Sequence, residues 1–415
     1  MLPLLTLEKA IDKTVREEWG RILASLTESL GSIQLAEDCL QDAVVSAMNH
    51  WKKNGLPDSP AAWLITTARR KAIDQLRRAQ NFAGKQRDIS YLLDQENEAT
   101  DADEAELISD KRLELIFICC HPALAEKTQV ALTLRLIGGL STEEIAHAFL
   151  DKPDAMQRRL TRAKKKIALA GIPFGIPELD ILPDRISSVL RVSYLIFNEG
   201  YSASSGNNLT RAELSDEAIR LARIVGQLLP EETEVAGLLA LMLIHDSRRH
   251  ARIGKSDEMI PLEMQNRARW NEAKIAEGHA LLEKTLPKGR VGPFQLQAAI
   301  SSVHAHSSSW SNTNWSEIAA LYEVLYSLQP SAIVRINQAV AVSYAQSLGY
   351  AIKMLDECAS GGELERYQPY FAARADILAR MGRQSEAEAC FQTAIRLTDN
   401  KQIRLFLESK MRQLR

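Results

Sequence analysis

The segment Ser141 to Ala170, STEEIAHAFLDKPDAMQRRLTRAKKKIALA, decides how the chain folds around it, because it predicts two short helices separated by a tight turn. Ser141 and Glu144 have the spacing of a capping box, in which the two residues satisfy each other's free amides at the start of a helix. Pro153 suits the first turn of a second helix, because its missing N–H is not needed there. An apolar stripe at helical spacing follows it, formed by Met156, Leu160, Ala163 and Ile167. The segment therefore predicts a helix-turn-helix.

The remaining faces of the second helix are basic. They carry Arg158, Arg159, Arg162, Lys164, Lys165 and Lys166. Only Asp154 opposes this charge within the helix, and a one-sided basic helix is the electrostatic pattern of a helix that lies against phosphates. The alternative is a solvated basic helix in an ordinary helical protein, because runs of Lys and Arg are common on surfaces.

The composition of the whole chain limits the classes of protein to be considered. A length of 415 residues predicts two or three domains, and Lys+Arg 51 against Asp+Glu 53 excludes nonspecific binding by bulk charge. Five cysteines without a framework spacing indicate a reducing cytoplasm. The longest apolar run, Val235 to Ile244, is too short to span a bilayer, and no signal peptide is recognisable. Because helical periodicity recurs nearly everywhere, we expect a cytoplasmic protein of the all-α class.

A predicted helix from Gln34 to Trp51 has an apolar face and an acidic face. The apolar side chains at helical spacing are Leu40, Val44, Ala47, Met48 and Trp51. The opposite face carries Asp38, Gln41 and Asp42. This acidic face either contacts a partner or is simply solvated.

A Gly/Pro-rich loop, KKNGLPDSP, separates this helix from a basic one. The basic helix, AAWLITTARRKAIDQLRR, is predicted to bury Ile65, Ala68, Ala72 and Leu76. Its displayed side chains include Arg69, Arg70, Lys71, Arg77 and Arg78. Trp63 lies at its start, and a basic helix led by an aromatic residue suits a DNA strand that is opened and held by stacking. The alternative is that Trp63 is an ordinary core residue.

The remaining segments suggest a linker, a connector and a helical extension. Residues 85 to 110 are rich in acids and poor in large apolar groups, which predicts a linker between residues 1–84 and residues 111–172. A proline-punctuated connector, residues 173–183, leads into a helical extension, residues 184–415. Near its end, Ala339, Val342, Ala351, Leu355 and Cys358 align at an offset of 36 with Ala375, Leu378, Ala387, Phe391 and Ala394. This offset is close to the tetratricopeptide period of about 34 residues.

The order of these segments resembles bacterial sigma factors of the sigma-70 family, extracytoplasmic-function type. The resemblance lies in AEDCLQDAVVSAM, WLITTARRKAIDQLRR, LSTEEIAHAFL and RRLTRAKKKI. CCHPAL, YLIFNEGYSAS and LLALMLIHDSRRHAR are similar to the subgroup with a long carboxyl-terminal extension of tetratricopeptide-like helices. The resemblance covers nearly the whole chain. It implies a sigma region 2 over 1–84, a region 4 over 111–172 and a regulatory extension over 184–415.

The resemblance also implies a role for each basic or acidic face. Asp38, Gln41 and Asp42 would contact the β′ clamp helices of RNA polymerase core, and region 4 would contact its β flap. The minus-ten element of promoter DNA would be opened and read by Asp58, Trp63, Thr66, Thr67, Arg69 and Arg70, with Arg77 and Arg78 farther along. Many relatives have Asn where this chain has Arg70, which favours a phosphate contact at that position over amide readout of a flipped base.

The resemblance further implies that the helix-turn-helix reads the minus-thirty-five element, with its second helix in the major groove. Gln157, Arg158 and Arg162 are then candidates for base contacts, because Arg pairs with guanine and Gln with adenine. Arg159 belongs to the same basic set, and Lys164, Lys165 and Lys166 are predicted to meet phosphates.

Two further groups of polar residues have side chains that could bind a metal or a ligand. Cys119, Cys120 and His121 have no partner pair for a four-ligand zinc site, so buried cysteines and no metal are predicted. A polar pocket in the extension is suggested by Asn198, Glu199, Tyr201, His245, Asp246 and Arg249. These residues either bind a ligand or are satisfied buried groups that hold the extension together. No catalytic motif is present, so neither an enzyme nor a cofactor is expected.

Three functional hypotheses follow from this sequence. The first is a sigma factor that directs promoter recognition and DNA melting by polymerase core, regulated in cis by its extension. The second is that the extension binds a metabolite, or a protein ligand, or carries an activity. The third is a DNA-binding regulator that does not act through polymerase core.

Overall fold

A computed structural model describes residues 4–83, 110–149, 151–202, 210–254, 258–289, 291–359 and 364–414. Within these ranges the secondary structure is helical apart from isolated bridge residues, such as the antiparallel bridge between Ile253 and Met259. The all-α prediction is confirmed. The predicted acidic linker lies almost wholly outside the described residues. None of the helices described is long and apolar enough to cross a membrane.

The chain divides into two compact units, residues 1–192 and residues 193–415. The first unit contains α1 (Leu4–Leu30), α2 (Ile33–Asn54), α3 (Pro60–Ala83), α4 (Arg112–Cys119), α5 (Glu126–Leu136), α6 (Thr142–Ala148), α7 (Pro153–Leu169) and the first half of α8 (Leu182–Tyr201). The boundary falls inside α8, nine residues after the predicted start of the extension at 184.

Local capping fixes the starts of the helices on which the predicted interface lies. The Ser32 hydroxyl accepts a hydrogen bond from the Leu35 amide at 3.3 Å and begins α2. At α6 the predicted capping box is present: the Ser141 hydroxyl accepts from the Glu144 amide at 3.1 Å, and the Glu144 carboxylate accepts from the Ser141 amide at 2.7 Å. Each such cap contributes about 0.5–2 kcal/mol of stability. The cap at α6 was predicted from the sequence, and the cap at Ser32 is an addition from the structure.

Helices α1, α2 and α3 pack on one another, and α1 also packs on the end of α5. Gly20 in α1 makes the second contact possible, because a Cβ at this position would lie only 2.8 Å from the carbonyl oxygen of Ile137. Gly139 follows with φ +71° beside Trp19, a backbone conformation that favours glycine. These two glycines bring the amino-terminal helices against the segment that leads into α6.

The second unit contains the rest of α8, four short 3-10 helices and ten further α-helices within its described residues. They are α9 (Ala212–Leu228), α10 (Thr233–Asp246), α11 (Glu272–Thr285), α12 (Pro293–His306), α13 (Trp315–Leu328), α14 (Ala332–Ala345), α15 (Leu348–Ala359), α16 (Gln368–Arg380), α17 (Gln384–Leu397) and α18 (Lys401–Arg412). Helix α10 is buried nearly all round and packs against α11 and α12. It is the central helix of this unit, as its uniformly apolar sequence predicts.

The internal repeat corresponds to two helix pairs. A shift of 36 residues along the sequence aligns α14 with α16 and α15 with α17. Helix α14 packs on α15, and α16 packs on α17. Ala339, Ala351, Ala375 and Ala387 are fully buried or nearly so, where two helices approach closely. Small residues at these positions therefore set the spacing between paired helices.

Candidate nucleic-acid interface

A surface pocket of about 550 Å³ lies at the start of α3. It is lined by Pro57, Asp58, Ser59, Ala62, Trp63, Thr66, Thr67 and Arg70. This volume lies within the roughly 300–1,000 Å³ range of pockets that hold small ligands. The structure thus brings together most of the residues that the sequence assigned to DNA opening, with aromatic, hydroxyl, acidic and cationic groups facing one space.

Trp63 is both a packing residue and a wall of this pocket. Its ring stacks on His50 with centroids 5.6 Å apart and contacts Trp51 edge-on at 5.3 Å. Trp51 is fully buried, whereas Trp63 is partly exposed. The two alternatives considered for Trp63 are therefore compatible, because contacts with the core hold the ring in place while part of it faces the pocket.

The other cations assigned to α3 lie away from this pocket lining. Arg69 is partly buried on α3, and Arg77 is exposed about two turns beyond Arg70, the last pocket residue. The side chain of Arg78 lies outside the described residues. Their predicted contacts with the minus-ten element stay predictions.

Helix α7 has the predicted division between an apolar and a polar side. Met156, Leu160, Ala163 and Ile167 are all buried, and α7 packs on α5 and α6. Gln157, Arg158 and Arg162 are exposed on the opposite side. The Thr142 hydroxyl donates a hydrogen bond to the Gln157 side-chain oxygen at 3.0 Å, so the start of α6 orients one candidate base-reading residue.

The remaining cations of α7 have unequal surroundings. Arg159 pairs with Asp151 at 3.0 Å, and the Lys166 ammonium donates to the carbonyl oxygen of Ala123. The side chain of Lys164 is 10% exposed and its Nζ lies 2.8 Å from Glu37 Oε2, whereas Lys165 is exposed. In this conformation Lys164 is therefore committed to a carboxylate, and Lys165 is free to face solvent or DNA.

Glu37 is a residue that the sequence reasoning missed. Its side chain is 3% exposed, and besides the contact with Lys164 it accepts a hydrogen bond from Arg135 Nε at 2.6 Å. Arg135 in turn lies over the Trp19 ring, with Cζ 5.6 Å from its centroid. Its position in the sequence could have revealed this residue, because Glu37 is in helical register with the buried residues Ile33 and Leu40. An acid at a core position predicts a buried cation nearby.

The outward face of α2 is both acidic and apolar. Asp38, Gln41 and Asp42 are exposed as predicted, and Val45 and Met48 continue the same stripe with 59% and 43% exposure. The prediction that Met48 is a core residue was wrong, because it lies nearly two turns beyond Gln41 and Asp42 and on their side of the helix. A stripe of acids and exposed apolar groups suits docking of another protein.

Comparison with known proteins identifies the two halves of this interface. Residues 15–82 match the Sigma-70 region 2 family, and residues 114–167 match the Sigma-70, region 4 family. The chain belongs to the sigma-70 family. With these two regions and a carboxyl-terminal extension it is of the extracytoplasmic-function type.

The similarity extends beyond the two sigma regions. Residues 185–286 match a family of unknown function, DUF6596. An uncharacterized protein of Rhizobium meliloti (strain 1021) is 39% identical over 392 residues, which cover 94% of this chain and 92% of that protein. No solved structure matches the chain.

Family membership decides between the hypotheses at the coarse level. Sigma-70 factors are non-enzymatic transcription initiation factors whose partners are RNA polymerase core and promoter DNA. This sigma factor therefore recognises promoters. A DNA-binding regulator that does not act through polymerase is set aside, because both sigma regions belong to factors whose partners are polymerase core and promoter DNA.

The cysteines of region 4 are buried thiols. Burial raises the pKa of Cys120 to about 12 and raises that of Cys119 well above its usual value. Both thiols are therefore protonated at neutral pH and poor metal ligands or nucleophiles. Among the described residues, His, Cys, Asp and Glu form no group that could hold a metal ion.

The residues suggested for a pocket in the extension fall into two sets. Glu199 pairs with Arg211, Asp246 is held by Arg249 at 2.7 Å and by Lys274, and the side chain of Asn198 bonds to Tyr194. Tyr201 and His245 are different, because their rings lie 5.2 Å apart and next to Arg248 and Arg252, which form no ion pair among the described residues. The predicted pocket as a whole stays a prediction.

Proposed function

We propose that region 2 of this sigma factor holds a base of the melted minus-ten element in the pocket at the start of α3. The observation that carries this proposal is the convergence of Asp58, Trp63, Thr66, Thr67 and Arg70 on one pocket. An aromatic wall supports stacking with a base of any kind, and hydroxyl and carboxylate groups supply hydrogen bonds that discriminate between bases. Arg70, exposed at the edge, is suited to a phosphate.

Region 4 is proposed to read the minus-thirty-five element through α7. Gln157, Arg158 and Arg162 are the base-reading candidates, because they are exposed near the amino-terminal half of a helix of this motif. Lys165 and Lys166 are proposed to contact phosphates, and Lys164 joins them only when it leaves Glu37.

Contact with polymerase core is proposed for two surfaces. The stripe of Asp38, Gln41, Asp42, Val45 and Met48 on α2 would dock on the β′ clamp helices, where acids meet cations and the apolar groups are covered. Region 4 would contact the β flap. Both assignments follow the family, and the composition of the α2 stripe supports the first.

The extension is proposed to regulate the sigma factor in cis. Helix pairs such as α14 with α15 and α16 with α17 build the kind of surface that binds another protein or another part of the same chain. A second candidate function, binding of a small ligand by the extension, is favoured by two arginines around Tyr201, the buried Arg252 and the partly buried Arg248, which form no ion pair among the described residues.

Reconstituted transcription tests the proposed function. Purified chain and polymerase core are combined on a library of promoters, and start sites are mapped. We expect transcription from a small set of promoters only when both components are present. If the polypeptide does not bind core, or if core with the polypeptide initiates without promoter preference, the proposed roles of α2, α3 and α7 are wrong.

A further inference from the structure

Three arginines in the extension surround two aromatic rings. Arg252 lies 3.5 Å above the Tyr201 ring, Arg267 lies 4.6 Å from the Trp270 ring, and Arg248 lies 6.0 Å and 5.9 Å from the same two rings. All distances are from Cζ to the ring centroid. Because Arg248 is common to both rings, the three guanidinium groups form one cluster.

This cluster has no matching negative charge among the described residues. Neither Arg248, Arg252 nor Arg267 forms an ion pair there. The acid near Arg252 is Asp246, whose carboxylate is already occupied by Arg249 and Lys274. Arg252 is buried, and Arg248 and Arg267 are partly buried. Cations withdrawn from water without a counter-charge are unfavourable, so the three together indicate that the charge is balanced by something outside the described residues.

Several donors in the cluster also have no acceptor. Arg248 Nε, Arg267 Nη2, Trp270 Nε1 and His304 Nδ1 are buried and make no hydrogen bond. Trp270 is 6% exposed, so its N–H has little access to solvent. The other hydrogen bonds of these groups orient them: Arg248 donates to the Tyr201 hydroxyl at 2.8 Å, Arg252 to the Tyr201 carbonyl oxygen and Arg267 to the His304 carbonyl oxygen. Buried donors are nearly always satisfied in proteins.

The histidines at the cluster report the same positive potential. Burial, Arg248 and Arg267 lower the pKa of His304 to about 4. Burial, followed by Arg248, Arg252 and His304, lowers the pKa of His245 well below its usual value. Both imidazoles are therefore neutral near pH 7, and a neutral His304 can turn either a donor or an acceptor toward a ligand.

We infer that the extension binds a small molecule through a phosphate or carboxylate group placed among Arg248, Arg252, Arg267, Trp270 and His304. An oxyanion supplies the missing charge and several acceptors at once, and the arginine fork matches its geometry. Tyr201 and Trp270 form aromatic walls beside it. The inference deepens the proposal that the extension binds a ligand, and it concerns binding alone, so its failure leaves promoter recognition untouched.

Anion binding by the full chain is the test. Inorganic phosphate and malonate are titrated separately by calorimetry, with sodium chloride at matched ionic strength as the reference. We expect saturable binding of at least one of the two, and protection from hydrogen exchange between His245 and Trp270. Phosphate alone indicates a phosphorylated ligand, and malonate alone indicates a carboxylate ligand.

Matched variants locate the site. Arg248→Gln and Arg267→Gln are each expected to weaken the anion roughly tenfold or more, because each removes a charge and at least one donor. Arg267→Lys keeps the positive charge but loses the guanidinium group. Its affinity for the anion is expected to lie between those of the wild-type chain and Arg267→Gln. Arg223→Gln is the control, because Arg223 is an exposed arginine of the same unit that pairs with Glu277, and its affinity should be unchanged.

Two results overturn the inference. One is that neither anion binds the wild-type chain beyond the effect of chloride, and this result decides even if the glutamine variants fail to fold. The other is that folded Arg248→Gln and Arg267→Gln bind both anions as tightly as Arg223→Gln does, which places the anion elsewhere.

Discussion

At the scale of single residues, the cations of α7 are not equivalent. Arg158 and Arg162 are exposed near the part of the helix that enters a groove in this motif, and Lys165 is exposed farther along. Arg159 and Lys164 are held by the carboxylates of Asp151 and Glu37. A basic run in a sequence therefore divides into base-reading, phosphate-binding and structurally paired side chains only when the neighbours of each are known.

The first prediction separates base contacts from phosphate contacts. Arg158→Ala should cost about 1–3 kcal/mol at one base pair and relax specificity there. Lys165→Ala should weaken binding to all promoters alike and reduce the salt slope by about 1. Fluorescence anisotropy on a set of minus-thirty-five duplexes at several salt concentrations measures both. Equal losses on every sequence for Arg158→Ala would refute the division.

The second prediction concerns Trp63. Trp63→Ala should reduce promoter opening by about 1–3 kcal/mol, the usual contribution of stacking between a base and an aromatic side chain. A fluorescent base analogue in the minus-ten element, monitored with core polymerase, measures opening. Because Trp63 also contacts His50 and Trp51, Trp63→Phe is the control that keeps an aromatic ring and should retain most of the opening. Normal opening by Trp63→Ala would remove this residue from the pocket's function.

At the scale of elements, Glu37 connects three helices. It lies on α2 and pairs with Arg135 of α5 and Lys164 of α7, while Gly20 of α1 allows close contact with Ile137. Region 2 and region 4 are therefore joined through a buried carboxylate in this conformation. A buried ion cluster of this kind acts as a specific contact, because removing one partner leaves the others without a counter-charge.

The third prediction follows from that cluster. Glu37→Gln should lower the stability of the first unit by about 3–5 kcal/mol and release Lys164. The released ammonium should then bind a phosphate, raising the salt slope for a minus-thirty-five duplex by about 1. Thermal unfolding and anisotropy measure the two effects. The double variant Glu37→Gln/Lys164→Gln should have the salt slope of the wild-type chain, because the released ammonium is absent. If Glu37→Gln alone leaves the salt slope unchanged, Lys164 has no access to DNA.

The fourth prediction concerns the outer stripe of α2. Asp42→Lys should weaken binding to polymerase core by roughly tenfold or more, because it places a like charge against the proposed basic partner surface. Val45→Ala should weaken it less, through loss of apolar contact. Asp399→Lys is a matched control on an exposed acid of the extension. Binding to labelled core is the measurement, and equal affinities for Asp42→Lys and Asp399→Lys would exclude the α2 stripe.

At the scale of the whole molecule, the position of the unit boundary decides how the extension can be removed. Arg185 is 8% exposed and donates to the carbonyl oxygen of Phe117, and Ile186, Val189 and Val192 are buried. These residues belong to the first unit although they follow the predicted connector. The predicted connector begins at residue 173, so a truncation at Pro173 would be the obvious way to separate the two sigma regions from the extension. Such a truncation removes part of the first unit.

The fifth prediction compares two truncations. A fragment ending at Val192 should stay folded, whereas one ending at Pro173 should be less stable by about 1–3 kcal/mol or more, because it leaves a buried carbonyl without its donor. Circular dichroism melting measures this difference. Promoter output of the 192-residue fragment then tests regulation: higher output than the full chain indicates inhibition by the extension, lower output indicates a requirement, and equal output contradicts control in cis.

The sequence by itself determined what depends on local order. Helical periodicity, the Ser141–Glu144 cap, the apolar stripe of α7 and the 36-residue repeat were all predicted, because each depends on residues within one or two turns or at a fixed offset. The residues around the α3 pocket were also predicted, since a loop and the first turns of one helix place them together.

Only the tertiary structure decided what depends on contacts between distant segments. The pairing of Glu37 with Lys164 joins residues 127 positions apart, and the exposure of Met48 depends on which helices cover α2. The arginine cluster of the extension likewise gathers Tyr201, Arg248, Arg267 and His304 from separate elements. A charge in a sequence has no fixed partner, because burial and neighbours are set by packing, and packing decides whether the charge is neutralised, displayed or left for a ligand.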